Sequence, residues 1–230
     1  MKTLGIDTTA RRGGVAVVVD GATAASRSAE APKGFGELLY PLIEETLAAA
    51  GVRLGEIDLF AAASGPGSFT GVRVGLTAAK ALGEALRKPV AGVSNLEALA
   101  FAALRMSGAG RPCAVVLDAR RGEVYGAVYG EDLSPLVEPR VEGWAEFRRR
   151  AESFDPLWVS AQREIFEAGG AAPLALETGL EGRLAVIEDT AGAVAWLASE
   201  RGSGSAGAPE AADANYIRRP DAERNWKSPA

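Results

Sequence analysis

The sequence predicts an α/β fold in which a mixed sheet flanked by helices occurs in each of two related subdomains. Strand-length apolar runs alternate with helix-length amphipathic segments along most of the chain. A strand ending in aspartate, a basic Arg-Arg-Gly turn and a returning strand also occur once in each half, around Asp7 and Asp118. This repeated unit indicates that one subdomain has been duplicated.

In the first half, a strand hairpin precedes alternating strands and helices. The β-branched runs are typical of buried strands, and the first helix carries its apolar residues on one face. Pro41 falls near the first turn of that helix, where a missing N–H is least costly, and Ser94 begins a capping box for the third helix. The expected elements are strands over 3–7, 14–20, 21–28, 58–63 and 90–93, and helices over 36–50, 70–87 and from 95 onward.

The second half repeats the hairpin and then becomes less regular. Strands are expected over 113–118, 123–129 and 157–160, and helices over 142–152 and 191–200. The Gly- and Ser-rich run at 202–209 has the composition of a flexible linker. The sequence therefore predicts an N-terminal subdomain over 1–108, a C-terminal subdomain over 109–201, and a flexible linker with a tail over 202–230.

Composition excludes several classes of chemistry. The 230 residues carry a formal net charge of −5, which disfavours a general nucleic-acid-binding surface. The chain has no histidine, which excludes histidine-based catalytic triads and His-containing zinc sites. The single cysteine, Cys113, allows no intramolecular disulfide and fits a cytoplasmic protein, and no apolar run is long enough to span a membrane.

The most informative motif is the glycine-rich run GPGSFTGVRVG at 65–75, between an expected buried strand and a helix. Its glycines permit a sharp turn, and the hydroxyl of Ser68 or Thr70 can cap the helix. Free N–H groups at the helix start could hold an anion. A tight strand-to-helix connection explains the same residues, and the absence of a Walker-type lysine favours that simpler interpretation.

A stripe of small residues follows on the same helix at four-residue spacing: Gly71, Gly75, Ala79 and Gly83. Each helical glycine costs about 1 kcal/mol relative to alanine, so the stripe indicates that another backbone approaches closely there. That backbone belongs either to this chain or to a partner protein, and the residues alone favour neither. Three apolar residues of the preceding helix could supply the same interface: Leu38, Leu42 and Ile43.

Asp7 and Asp118 both end a strand and precede a turn. Paired carboxylates in such positions can bind magnesium or orient a nucleophile. Aspartate also accepts hydrogen bonds from the backbone of a turn. Without an obvious third acid, this second explanation is favoured, and no metal site is expected.

Together, these motifs resemble those of the TsaB (YeaZ) family. The run at 65–75 looks like the signature of the family. Shorter similar blocks are GIDTT at 5–9, DARRGEVY at 118–125 and YIR at 216–218, and they occur in the family's order. The family often has His-Ser before Glu-Leu-Leu on the first helix, whereas this chain has Phe35-Gly36.

The resemblance implies an actin-like, sugar-kinase-like (ribonuclease H-like) fold with duplicated subdomains. It also implies a non-catalytic scaffold subunit that binds and activates the catalytic subunit TsaD, in a complex that includes the ATPase TsaE. That complex transfers a threonylcarbamoyl group to the adenosine next to the anticodon of tRNA, using ATP and magnesium that this chain alone is not expected to bind. The isolated chain could form a homodimer, and it would reach tRNA through the complex.

In the family, the first two helices form a helical bundle with the partner. Carried over to this sequence, the signature loop comprises Gly65, Pro66, Gly67, Ser68, Phe69, Thr70 and Arg73. The expected partner interface comprises Leu38, Leu42, Ile43, Gly71, Val72, Gly75, Ala79 and Gly83. Asp7 and Asp118 become the candidate acids on the nucleotide side of the fold.

Two other functions are weighed against this one. A stand-alone ATP-dependent kinase of the same fold would use the hairpin turns after Asp7 and Asp118 as phosphate loops, although kinases of this fold are longer. A protease has almost no chemical basis, because the chain has no histidine and no evident Ser-Lys or metal-ligand constellation.

Overall fold

The computed structural model describes residues 1–107, 110–167, 183–202, 206–215 and 217, which form two mixed five-stranded sheets. The strands of the first sheet, in the spatial order β3-β2-β1-β4-β5, are β1 (Lys2–Asp7), β2 (Arg12–Val19), β3 (Ala22–Glu30), β4 (Leu59–Ala63) and β5 (Val90–Val93). The strands of the second sheet, in the spatial order β8-β7-β6-β9-β10, are β6 (Cys113–Asp118), β7 (Glu123–Tyr129), β8 (Pro135–Gly143), β9 (Leu157–Ser160) and β10 (Leu184–Val186).

Both sheets have the same topology. In each, the first three strands along the chain are antiparallel neighbours, and the last two run parallel to the first strand. The duplication predicted from the repeated Asp-to-Arg-Arg-Gly turn is confirmed.

In the described part of the chain, five α-helices accompany the sheets: α1 (Leu39–Ala50), α2 (Phe69–Leu86), α3 (Asn95–Ser107), α4 (Trp144–Ala151) and α5 (Ala191–Arg201). Short 3₁₀ turns lie at Leu54–Glu56, Glu152–Phe154, Arg163–Phe166 and Pro209–Ala211. None of these helices combines the length and apolar character that crossing a membrane requires.

The first sheet is covered on one face by α1 and α2 and on the other by α5. Leu4, Ile6 and Val15 pack with the buried residues of α1 and α2 in one apolar core. On the opposite face, β1 comes so close to α5 that a Cβ on Gly5 would lie 2.4 Å from the carbonyl oxygen of Ala191. Glycine is therefore required at this point of β1, because any side chain would separate the strand from the helix.

The second sheet lies between α4 and α3. Phe147 of α4 packs edge-to-face with Trp158 of β9, and both side chains are fully buried. On the other face, Leu96 and Leu99 of α3 share a core with the strands of this sheet.

The two central helices are exchanged between the halves. Helix α3 follows the first sheet in sequence but packs on the second, and α5 follows the second sheet but packs on the first. Phe101 and Trp196 stack with ring centroids 4.7 Å apart, and Glu97 pairs with Arg201. The predicted subdomain bounds at 108 and 201 stay predictions, because each half takes one helix from the other.

The structure departs from the sequence prediction at several elements. Helix α1 begins at Leu39 rather than at 36, and α4 begins at Trp144 because the unpredicted strand β8 continues to Gly143. The predicted flexible linker and tail over 202–230 also stays a prediction. Within it, residues 206–215 pack along the first sheet: Gly207 forms a bridge with Val90, and Ala212 joins the core. Residues 203–205, 216 and 218–230 of that tail, including part of the YIR block, lie outside the described residues.

Candidate functional site

The signature loop connects β4 to α2, and its first residues are held by the start of α3. The N–H of Gly65 donates to Asn95 Oδ1 at 2.9 Å, and the N–H of Asn95 donates to the carbonyl oxygen of Gly65 at 2.9 Å. The Asn95 side-chain amide also donates to Thr9 Oγ1. Gly65 has a φ of 101°, a conformation that favours glycine, and both Gly65 and Pro66 are buried.

The second part of the loop is exposed and caps α2. The N–H of Ser68 donates to the carbonyl oxygen of Thr9 at 2.7 Å, and Ser68 Oγ accepts from the N–H of Gly71 at 3.3 Å. Of the two hydroxyl residues considered from the sequence, Ser68 is therefore the N-cap. Residues 67–70 are exposed, so this end of the loop is accessible to another molecule.

The small-residue stripe of α2 faces this chain. A Cβ on Gly71 would lie 2.0 Å from the carbonyl oxygen of Thr8, and one on Gly75 would lie 2.7 Å from Thr8 Oγ1. A Cβ on Gly83 would lie 2.4 Å from Val90 Cγ2, and Ala79 is fully buried. The stripe thus accommodates Thr8, just after β1, and the Val90 side chain at the start of β5. Val72 is also buried in the first core. That Gly71, Val72, Gly75, Ala79 and Gly83 contact a partner stays a prediction, while in this chain the stripe packs inward.

On α1, two of the three predicted interface residues also pack inward. Ile43 is 3% exposed and Leu42 is 9% exposed, and both pack in the core between α1 and the first sheet. Leu38, just before the helix, is 39% exposed. The predicted partner residues therefore divide into an internal set and one surface residue.

Exposed side chains lie at the N-terminal ends of α1 and α2. They are Leu38, Tyr40, Phe69 and Arg73, and these two exposed helix starts are together called the α1–α2 face. The two rings are about half exposed, at 52% for Tyr40 and 48% for Phe69. The guanidinium of Arg73 lies 3.8 Å from the centre of the Phe69 ring. Tyr40 is not among the residues predicted from the sequence, although its place between the buried Leu39 and Leu42 on an amphipathic helix is a usable signal for an outward aromatic residue.

A cleft of about 750 Å³ separates the loops of the two halves. Asp7, Thr9, Asn95 and Thr190 line it, and the signature loop forms part of the wall. Asp118 lines the same cleft from the second half. The structure thus brings together the signature loop and the two candidate acids.

Both candidate acids take part in local hydrogen bonds. Asp7 Oδ1 accepts from the N–H and the hydroxyl of Thr9, at 2.9 and 2.6 Å, and Asp7 Oδ2 accepts from the Thr190 hydroxyl. Asp118 accepts from the N–H of Arg120 at 2.6 Å and pairs with its guanidinium at 3.3 Å. This is the turn chemistry that the sequence favoured. Within the described ranges, no group of three or more acidic or cysteine side chains converges on a metal-sized site.

Asp189 is a third acid near the cleft, and no local sequence pattern predicts its position there. Burial raises the pKa of its carboxyl group, and the nearby charge of Asp7 raises that pKa further. A hydrogen bond from the N–H of Ala191 acts in the opposite direction. Asp189 also faces Ser26 of β3 at 3.4 Å, so it links α5 to the outer strand of the first sheet.

The duplicated sheet order and the cleft between the halves define the chain as an actin-like, sugar-kinase-like protein. Residues 28–149 match the family model of TsaD, tRNA N6-adenosine threonylcarbamoyltransferase. The chain is 33% identical over 169 residues to the tRNA threonylcarbamoyladenosine biosynthesis protein TsaB of Escherichia coli, which covers 70% of each chain. Its identity to TsaB of Bacillus subtilis is 30% over 158 residues, covering 66% of this chain and 68% of that relative.

A solved structure, YeaZ from Pseudomonas aeruginosa, superposes with a TM-score of 0.74 at 26% identity, covering 94% of this chain and 99% of YeaZ. The chain belongs to the TsaB family of tRNA threonylcarbamoyladenosine biosynthesis proteins.

Proposed function

We propose that this chain is the accessory subunit that binds TsaD and activates the transfer of a threonylcarbamoyl group to the adenosine next to the anticodon of tRNA. The relation to TsaB supports the pathway. The observation that carries the binding role is the exposure of the α1–α2 face, which includes Phe69 and Arg73 of the signature loop. In this proposal TsaE and tRNA join through the complex, and ATP and magnesium serve the complex rather than this chain alone.

The chemistry of the α1–α2 face suits a protein partner. Tyrosine, phenylalanine and arginine are enriched at the centres of protein interfaces, where a few such side chains supply most of the binding energy. Arg73 over the ring of Phe69 holds both side chains in one arrangement before binding. Ordering them in advance reduces the entropy that is lost when the complex forms.

The internal packing of the stripe supports the same proposal indirectly. Because Gly71 and Gly75 seat α2 against the end of β1, the helix has one fixed position on the sheet. A fixed helix presents Phe69 and Arg73 at its N-terminal end in a defined orientation. The stripe would thus act by positioning the face rather than by touching TsaD.

The cleft supports an accessory rather than a catalytic role. Both oxygens of Asp7 accept hydrogen bonds from neighbouring threonines, and Asp118 is paired with Arg120. The chain has no histidine to act as a general base or metal ligand. The alternative of a stand-alone kinase is not favoured, because the two acids that it would use are engaged within their own turns.

Alanine substitutions on the α1–α2 face test the proposal. Tyr40→Ala and Phe69→Ala should each weaken binding to TsaD of the same organism by about tenfold or more, as expected for an interface hot spot. Met106→Ala is the matched control, because Met106 is 76% exposed on α3, away from this face. Titration calorimetry measures the affinities. Equal binding by the parent chain and both aromatic variants would refute the proposed face, and ATP turnover by the isolated chain would favour the kinase instead.

A further inference from the structure

Residues 206–215, here called the C-terminal strap, cover the open edge of the first sheet. The N–H of Val90 donates to the carbonyl oxygen of Gly207 at 3.2 Å, and the N–H of Gly207 donates back at 3.3 Å. Val90 begins β5, which is the last strand on that side of the sheet. Pro209 lies against α2, since a Cβ on Gly83 would be 3.4 Å from Pro209 Cγ. The strap therefore starts between β5 and the C-terminal end of α2.

The far end of the strap reaches the start of the signature loop. The N–H of Asn215 donates to the carbonyl oxygen of Ser64 at 2.7 Å, and Ser64 immediately precedes Gly65. A Cβ on Gly65 would lie 3.3 Å from the carbonyl oxygen of Asn215. Between the two ends, Ala212 is buried in the first core. The strap thus runs from one end of β5 to the loop that opens α2.

At the loop, the strap and α3 bond to adjacent residues of the same turn. Asn95 of α3 bonds both the N–H and the carbonyl oxygen of Gly65, while Asn215 bonds Ser64 one residue earlier. Glycine residues have no side chain to restrict their own backbone, so a loop rich in glycine depends on such external bonds for a fixed conformation. Beyond Asn215, Ile217 packs against the core that α3 shares with the second sheet.

We infer that the C-terminal strap is a positioning segment that fixes the signature loop, and with it the N-terminal end of α2, for partner binding. This inference rests on the proposed function, because the loop and α2 carry Phe69 and Arg73 of the α1–α2 face. Loss of the bond between Asn215 and Ser64 leaves the core of the chain in place and widens the range of positions open to the loop. TsaD must then restrict the loop on binding, which weakens the complex.

One pair of substitutions at position 215 separates the backbone bond from the side chain. Asn215→Pro removes the N–H that donates to Ser64, whereas Asn215→Ala keeps it, and the side chain of Asn215 is exposed. Asn215→Pro should weaken binding to TsaD by about tenfold, in line with the loss of a pre-organised surface. Hydrogen exchange of peptides covering 64–72 should become faster in the same variant, and Asn215→Ala should change neither measurement.

A variant destabilised elsewhere controls for a general loss of stability. Val137→Ala removes a buried side chain from the second sheet, away from the loop. It should lower Tm without weakening the complex. The inference is overturned if Asn215→Pro binds as tightly as the parent chain, or if its affinity falls no further than that of Val137→Ala at comparable Tm. Failure of the unchanged chain to bind TsaD would instead refute the proposed function. The role of the strap would still be tested in that case, because unaltered hydrogen exchange over 64–72 in Asn215→Pro would overturn it.

Discussion

Replacing Gly71 by alanine puts a methyl group where α2 meets the end of β1. The new Cβ would lie 2.0 Å from the carbonyl oxygen of Thr8, whereas ordinary contact begins at 3.4 Å. Strand and helix must therefore separate by 3.4 − 2.0 = 1.4 Å at this point, against a core that is already packed. The same movement breaks the bond from the Thr8 hydroxyl to the carbonyl oxygen of Gly71, which measures 2.7 Å.

Three effects decide the size of the change. Alanine in place of a helical glycine stabilises the helix by about 1 kcal/mol. Overpacking of a core costs about 1–3 kcal/mol, and loss of the hydrogen bond costs about 1 kcal/mol. The net effect of Gly71→Ala is a loss of about 2 kcal/mol in the free energy of unfolding, which lowers Tm by roughly 4–8 °C in a chain of this size.

Urea unfolding followed by circular dichroism measures this difference. Gly36→Ala is the control, because a Cβ at Gly36 meets no atom within 4 Å, and its free energy of unfolding should stay within about 0.5 kcal/mol of the parent. If Gly71→Ala is as stable as the parent or more so, α2 does not pack on Thr8. The stripe would then be available to a partner, which is the alternative that the sequence left open.

Three further results are expected. Asn95→Ala leaves the N–H of Gly65 without its side-chain acceptor and should lower the free energy of unfolding by about 2 kcal/mol in the same urea experiment; a loss near zero would contradict the bond. The pKa of Asp189 is higher in the folded chain than in the unfolded chain, so the folded chain loses stability as pH rises from the ordinary aspartate pKa through the raised one. Asp189→Asn should therefore gain Tm relative to the parent at pH 7 and little at pH 3.5, whereas an equal difference at both would exclude this titration. Burial raises the pKa of the Cys113 thiol to about 11, so a thiol reagent at pH 8 should react only after denaturant is added; rapid reaction of the folded chain would show that the thiol is accessible.

Patterns of local sequence were sufficient for most of the fold. The repeated aspartate and Arg-Arg-Gly run indicated the duplication, because in each half a strand that ends in aspartate pairs antiparallel with the strand that follows. Strand β8 was missed because Pro135 and Pro139 make it read as a loop, a pattern that an edge strand tolerates. Strand β10 has three residues, too few for a periodic signal.

Tertiary contacts between segments distant in the sequence could not be predicted from local sequence patterns. Four-residue spacing of small side chains predicts a close backbone contact, but it does not say whether that backbone is Thr8 of the same chain or a partner. Composition also predicted a free tail after Gly202, although Gly207 can approach the edge of a sheet and Ala212 can fill a small space in the core. Asp189 and Thr190 reach Asp7 only because α5 crosses to the first sheet.

The inward packing of the small-residue stripe also decides which substitutions can test the interface. A large side chain at Gly75 or Ala79 would unfold α2 from its sheet, and lost binding would then say nothing about a partner surface. Substitutions at exposed positions such as Tyr40 avoid that ambiguity, because truncation of an exposed ring has little effect on stability.

The proposed dependence of TsaD on this chain is best tested in a reconstituted tRNA modification assay. TsaD and TsaE of the same organism, with tRNA, ATP, magnesium and the threonylcarbamoyl donor system, would be assayed with and without this chain. We expect modification to be lost without the chain, restored by the parent and by Met106→Ala, and restored only at higher concentrations of Tyr40→Ala. Full modification in the absence of the chain would refute the proposed role.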